Sequence, residues 1–134
     1  MDINNYVGLP YNRDSFDCAD FAILIQRDLF GREVNLPATR PRINTGGQRH
    51  LQSISQQYAE RTDSPKDGDL VLLAQLGKAR ATHIGIYFWL DHAAWVLHCT
   101  EAVGYSVFQR VSDLGDSCVW VEGYYKLLDR PSDE

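Results

Sequence analysis

The sequence predicts an α+β fold, with N-terminal helices packed on an antiparallel sheet of five to six strands. Three observations carry that expectation. The first half holds one strongly marked helix, opening at Asp17-Cys18 and closed by Gly31. The second half holds stretches rich in β-branched and aromatic residues, separated by turn signals. Those stretches follow one another with no helical pattern between them, which favours an antiparallel meander over parallel units.

The helix is expected over about Cys18–Phe30. Asp17 offers the N-cap side chain, with Ser15 and Asp14 as competitors, and Gly31 offers the C′ stop. Cys18, Ala22, Ile25 and Leu29 recur at helical spacing and share an apolar face. The thiol should therefore point toward whatever this helix packs on. Residues 31–50, with Pro37, Pro41 and a Gly46-Gly47 pair, read as a connection. A second short helix is expected from His50 to about Ala59, and Pro65–Gly68 reads as a turn. Strands follow at Asp69–Ala74, His83–Leu90, Ala94–Glu101, Tyr105–Val111 and Val119–Leu127. Asp129–Glu134 reads as a polar tail.

The chain has 134 residues, enough for one domain over 1–134 with a real core. Its net charge of −5 argues against nucleic acid or an anionic membrane surface as partner. No stretch has the length and apolarity of a membrane span. The N-terminus lacks a basic region followed by an apolar one, so no secretory signal is expected and the chain reads as cytoplasmic when made. The three cysteines, Cys18, Cys99 and Cys118, form no paired motif, which argues against a disulfide framework and leaves the usual structural zinc spacing absent.

A lone thiol at a helix start suggests nucleophilic chemistry, because a helix N-terminus and a neighbouring imidazolium both lower a thiol pKa. Burial as a small apolar residue is the plainer alternative. Strand alternation puts His83, Gly85 and Tyr87 on one side, and Ile84, Ile86 and Phe88 on the other. If Asp91-His92 is a two-residue turn, Leu90 pairs with Ala93 and Gly85 lies opposite His98. His98 then shares a face with His83, and Gly85 leaves a gap beside both imidazoles where a helix could bring a thiol. In that arrangement His83 takes the thiol proton and returns it to the leaving amine, while His98 orients His83. The Cys18 N–H and a nearby hydroxyl would serve the oxyanion. The same three residues could hold zinc, but they serve as a triad without a fourth ligand. No metal or other cofactor is expected. His50, His92, Cys99 and Cys118 are assigned no role.

FDCADFA, DGDLVLL, THIGIYF and WVLHCTE occur in the order and spacing of the NlpC/P60 cysteine peptidases, which the chain resembles from about Tyr6 to Leu127. The resemblance implies a papain-like core with Cys18 as nucleophile, His83 as base and His98 as the third residue. GLPY at 8–11 is similar to the family's segment ahead of the cysteine, so Tyr11, with Asp17, is placed on the oxyanion and substrate side. DCADFAILIQRDLFGREVNLP and VEGYYKL are similar to phage tail-associated members. Three departures stand out: Ala19-Asp20 after the cysteine, a short NRDSFD loop without Gly-Gly, and a long stretch from His83 to His98. The implied activity is hydrolysis of amide bonds in peptidoglycan stem peptides, of the γ-D-glutamyl–diaminopimelate type. Phage tail proteins are the implied partners and the virion the implied destination. Two alternatives stand beside it: a non-enzymatic tail or binding module, and an acyl-transferring amidase using the same triad.

Overall fold

The computed structural model describes residues 3–12, 15–32, 59–75, 83–117 and 119–127. Its frame is one six-stranded antiparallel sheet. The strands are β1 (Ala59–Thr62), β2 (Leu70–Gln75), β3 (His83–Leu90), β4 (Ala93–Thr100), β5 (Tyr105–Arg110) and β6 (Val119–Leu127). They lie in the order β1-β6-β2-β3-β4-β5. The last strand therefore returns between the first two, and β1 and β5 are the outermost strands. The single α-helix among the described residues, α1 (Cys18–Phe30), lies on one face.

This corrects the expected fold class. The papain-like α+β core, with N-terminal helices packed on a sheet, is replaced by an open and mostly antiparallel sheet with one α-helix among the described residues. Two physical reasons account for the difference. Ahead of α1, a 3-10 turn at Ile3–Tyr6 is followed by extended chain that bonds to the start of β5. Gly8 donates to the Ser106 carbonyl, Ser106 donates to the Leu9 carbonyl, and Pro10 bridges Tyr105. The β5 edge thus takes this segment as a partial strand partner. The second reason lies at the end of the expected second helix. Residues 50–58 are outside the described residues, but Ala59 begins β1, paired in register from Ala59↔Leu127 to Thr62↔Tyr124. A short polar edge strand has no alternation to announce it, and pairing overrides its local propensity.

α1 forms where its caps dictate. Asp17 is extended and accepts from the Ala19 and Asp20 N–H groups at 3.0 Å, while Asp20 accepts from the Asp17 N–H at 3.0 Å. This reciprocal pair satisfies donors that the first turn would otherwise leave open. Gly31 closes the helix at φ 64°, a left-handed conformation that suits glycine. Fully buried Gln26 donates to the Gly68 carbonyl at 2.7 Å, tying α1 to the turn before β2.

Two cores flank the sheet. On the helix side, Cys18, Phe21, Ala22 and Ile25 pack with Leu70, Leu72, Ile84, Ile86, Phe88, Leu97 and Cys99. On the other side, Val71, Leu73, Tyr87 and Val96 pack with Leu114 and Val119. Asp91 and His92 both have positive φ, as a tight two-residue hairpin requires. Leu90 accordingly pairs with Ala93, the register read from the sequence.

Candidate active site

His83 opens β3, opposite Leu73 of β2, and is only 7% exposed. His98 lies on β4, opposite Val107 of β5, and is 3% exposed. The hairpin register brings the two rings together edge-on, with centroids 4.8 Å apart. His83 Nε2 lies 2.6 Å from His98 Nδ1, a short hydrogen bond. The far nitrogen of His98, Nε2, lies 2.8 Å from Oε1 of Gln109 on β5. A continuous chain of ring nitrogens thus runs across three strands to an amide. With their lone-pair directions spent on each other, Nε2 of His83 and Nδ1 of His98 are not disposed to share a metal. Among the described residues no group of three or more histidine, cysteine or acidic side chains converges as a metal site.

Gly85 lies between the two histidines, but it is not a gap that admits a helix. A Cβ there would come within 2.5 Å of Val96 Cγ2 and 3.0 Å of His98 Cβ. The missing side chain lets β4 seat His98 close to β3, so the glycine serves the histidine pair itself. Gly85→Ala is expected to force β3 and β4 apart. Overpacking of this kind costs about 1–3 kcal/mol, so the thermal midpoint should fall and the His83–His98 bond should lengthen. Calorimetry, with imidazole NMR as a local reporter, checks both.

Cys18 reaches β3 from the helix side. It is the first residue of α1, 8% exposed, and belongs to the cluster that holds Ile84 and Cys99. Its sulfur takes backbone hydrogen bonding at Ile84, one residue along from His83. The structure therefore joins His83 and His98 directly, on the face of the sheet that Leu73, Tyr87 and Val96 share, and sets Cys18 against Ile84 in the core on the opposite, helix-side face. Among the described residues no hydrogen bond links the thiol to either ring.

The electrostatics correct the expected thiolate. Burial pushes the Cys18 thiol up to about 11, against the lowering effect of backbone hydrogen bonding from Ile84 and with a further rise from nearby Cys99. Desolvation outweighs the helix terminus. Burial, and then the neighbouring His98, hold His83 well below the ordinary histidine value. Burial also lowers His98, opposed by its bond to Gln109. At rest the thiol and both imidazoles are held neutral.

This has a consequence for stability. Both histidines bind protons more weakly folded than unfolded, so the unfolded chain gains protons first as pH falls through the ordinary histidine value of about 6.5. Their contribution is complete above that pH and is lost progressively below it. The thermal midpoint should drop between about pH 7 and 5, and a His83→Gln, His98→Gln double variant should flatten that dependence. An unchanged slope in the double variant would contradict the assignment.

The remaining expected site residues are placed as follows. Tyr11 is half-buried, packs against the cluster that contains Cys18, and donates its N–H to the Gly104 carbonyl. Asp17 is the helix cap, with one carboxylate oxygen engaged by Ala19 and Asp20. Cys99 is buried with its thiol 3.6 Å from the Leu9 carbonyl. Cys118 lies outside the described residues, as does His50. Gln109 is the site residue that the sequence reading missed. Its signal was the alternation of β5, which puts Val107 and Gln109 on the face of His98.

Comparisons with family models, curated proteins and solved structures return no match to this chain. What the site can do rests on its residues. A neutral imidazole base held by a hydrogen-bonded chain and a thiol at a helix start are the two groups that acyl transfer through a cysteine needs within reach of each other.

Proposed function

We propose that this protein is a cysteine hydrolase that cleaves an amide bond in peptidoglycan stem peptides, with chemistry of the NlpC/P60 type. The observation that carries the reading is the 2.6 Å His83–His98 bond at the end of β3 where the Cys18 sulfur lies against the Ile84 backbone. His98 occupies Nε2 of His83, leaving Nδ1 as the atom that can meet a thiol. Such catalytic contacts are often long without substrate and tighten when it binds.

Because the resting pair is neutral, proton transfer and attack occur together. His83 Nδ1 takes the thiol proton as Cys18 Sγ attacks the amide carbonyl. The oxyanion is met by the Cys18 N–H, since the Asp17 carboxylate engages the next two N–H groups and the Asp17 carbonyl engages that of Phe21. His83 then gives its proton to the leaving amine, and a thioester remains on Cys18. Water, deprotonated by His83, attacks that thioester and releases the acid. His98 holds the His83 ring and stabilises its charged form.

The γ-D-glutamyl–diaminopimelate bond, tail proteins as partners and the virion as destination are supported by sequence resemblance. No helix among the described residues is long and apolar enough to cross a membrane. The deep burial of Cys18 favours a second reading, a non-enzymatic binding or tail module in which the thiol is simply core. Incubation with defined stem peptides and mass analysis of the products tests the proposal. New acid and amine termini support hydrolysis, joined peptides indicate acyl transfer, and no product at any stem peptide leaves the module reading.

A further inference from the structure

We infer that Gln109 is a positioning residue that fixes the tautomer of both histidines and thereby makes His83 Nδ1 a base. A carboxamide oxygen only accepts, so the Gln109 Oε1 contact at 2.8 Å requires a proton on His98 Nε2. A neutral imidazole carries one N–H, so His98 Nδ1 must then accept. The atom facing it at 2.6 Å, His83 Nε2, must therefore donate. That places the single proton of His83 on Nε2 and leaves a lone pair on Nδ1. Turning the amide over reverses every step. Its NH2 would donate to His98 Nε2, His98 Nδ1–H would donate to His83 Nε2, and Nδ1 of His83 would hold a proton and be useless as a base. One side-chain amide on the edge strand β5 thus sets the acid–base polarity of a group two strands away.

The arrangement suits the site's burial. With both rings buried and held neutral, protonation cannot easily override the tautomer choice, so an uncharged partner is sufficient to direct it. Gln109 is half-buried on β5, diagonally across from His98, whose directly paired neighbour is Val107.

The inference rests on the proposed role of His83, and its test separates the two. Nitrogen-15 NMR of the imidazoles reads the tautomer in the intact protein without any assay. The expected result is an unprotonated Nδ1 and a protonated Nε2 on His83, with Nε2 of His98 protonated. Gln109→Leu removes the acceptor and should give a mixture of tautomers with kcat lowered roughly 10- to 100-fold and KM little changed. Gln109→Glu, which can only accept, should restore the tautomer and most of kcat. A protonated Nδ1 on His83 in the unaltered protein overturns the inference, as does an unchanged tautomer in Gln109→Leu. An inactive protein with the expected tautomer overturns the hydrolase proposal and leaves the Gln109 relay standing.

Discussion

Cys18→Ala is expected to abolish peptide hydrolysis while leaving the fold intact. The expected loss is at least about 10⁴-fold in kcat, because removing the nucleophile disables the whole relay at once and leaves only binding and oxyanion contacts. The substitution removes one sulfur from a cluster that also holds Phe21, Ile25, Ile84 and Cys99. It should cost little stability, and relief of the buried thiol's high pKa should steady the protein in alkali. The sign follows from the shift. The folded thiol keeps its proton up to about 11, against an ordinary value of 9.0. Its stabilising contribution is therefore present below about pH 9 and lost as pH rises through 11. His83→Ala should match the catalytic loss without adding to it in the double variant, since the two act as one unit. Product analysis by mass spectrometry reads the catalytic effect, and alkaline unfolding reads the other.

Phe21→Ala should have the largest effect on stability. Phe21 is fully buried on α1, one turn from Cys18, with its ring edge-on to Phe16 at 6.1 Å. Truncating a buried phenylalanine typically costs about 3–5 kcal/mol, combining lost transfer energy with the cavity left behind. Here the cavity opens in the cluster between helix and sheet that also holds Leu70, Ile84 and Ile86. Because α1 carries Cys18, a loosened helix should also lower kcat. Denaturant unfolding with an unchanged m-value isolates the stability term. A conservative Phe21→Leu variant should recover most of both losses.

The parts of the molecule set by local rules were legible in the sequence. Asp17 and Gly31 mark the helix ends, and the structure has α1 at Cys18–Phe30 between them. Asp91-His92 fixes a two-residue turn, and the turn fixes the register that brings His83 and His98 together. The parts set by distant pairing were not legible. β1 is four residues, three of them polar, whose partner, β6, lies at the far end of the chain. The N-terminal segment bonds along the start of β5 through Gly8, Leu9 and Tyr11. Both follow from sheet edges that a linear reading does not see. The same limit applies at the site. Helix position argued for a thiolate, but burial is a property of the folded whole, and it dominates the thiol's proton affinity. Gln109 escaped notice because its meaning depends on β4–β5 register as well as β3–β4.

The central claim is that Cys18 is a nucleophile served by the His83–His98 pair. The most direct measurement is intact mass spectrometry of the protein quenched during turnover of a stem peptide, followed by peptide mapping. The account predicts an acyl adduct on Cys18, absent from Cys99 and Cys118, which disappears as product accumulates and does not form in His83→Ala. Turnover with no adduct on Cys18, or undiminished turnover by Cys18→Ala, would contradict it.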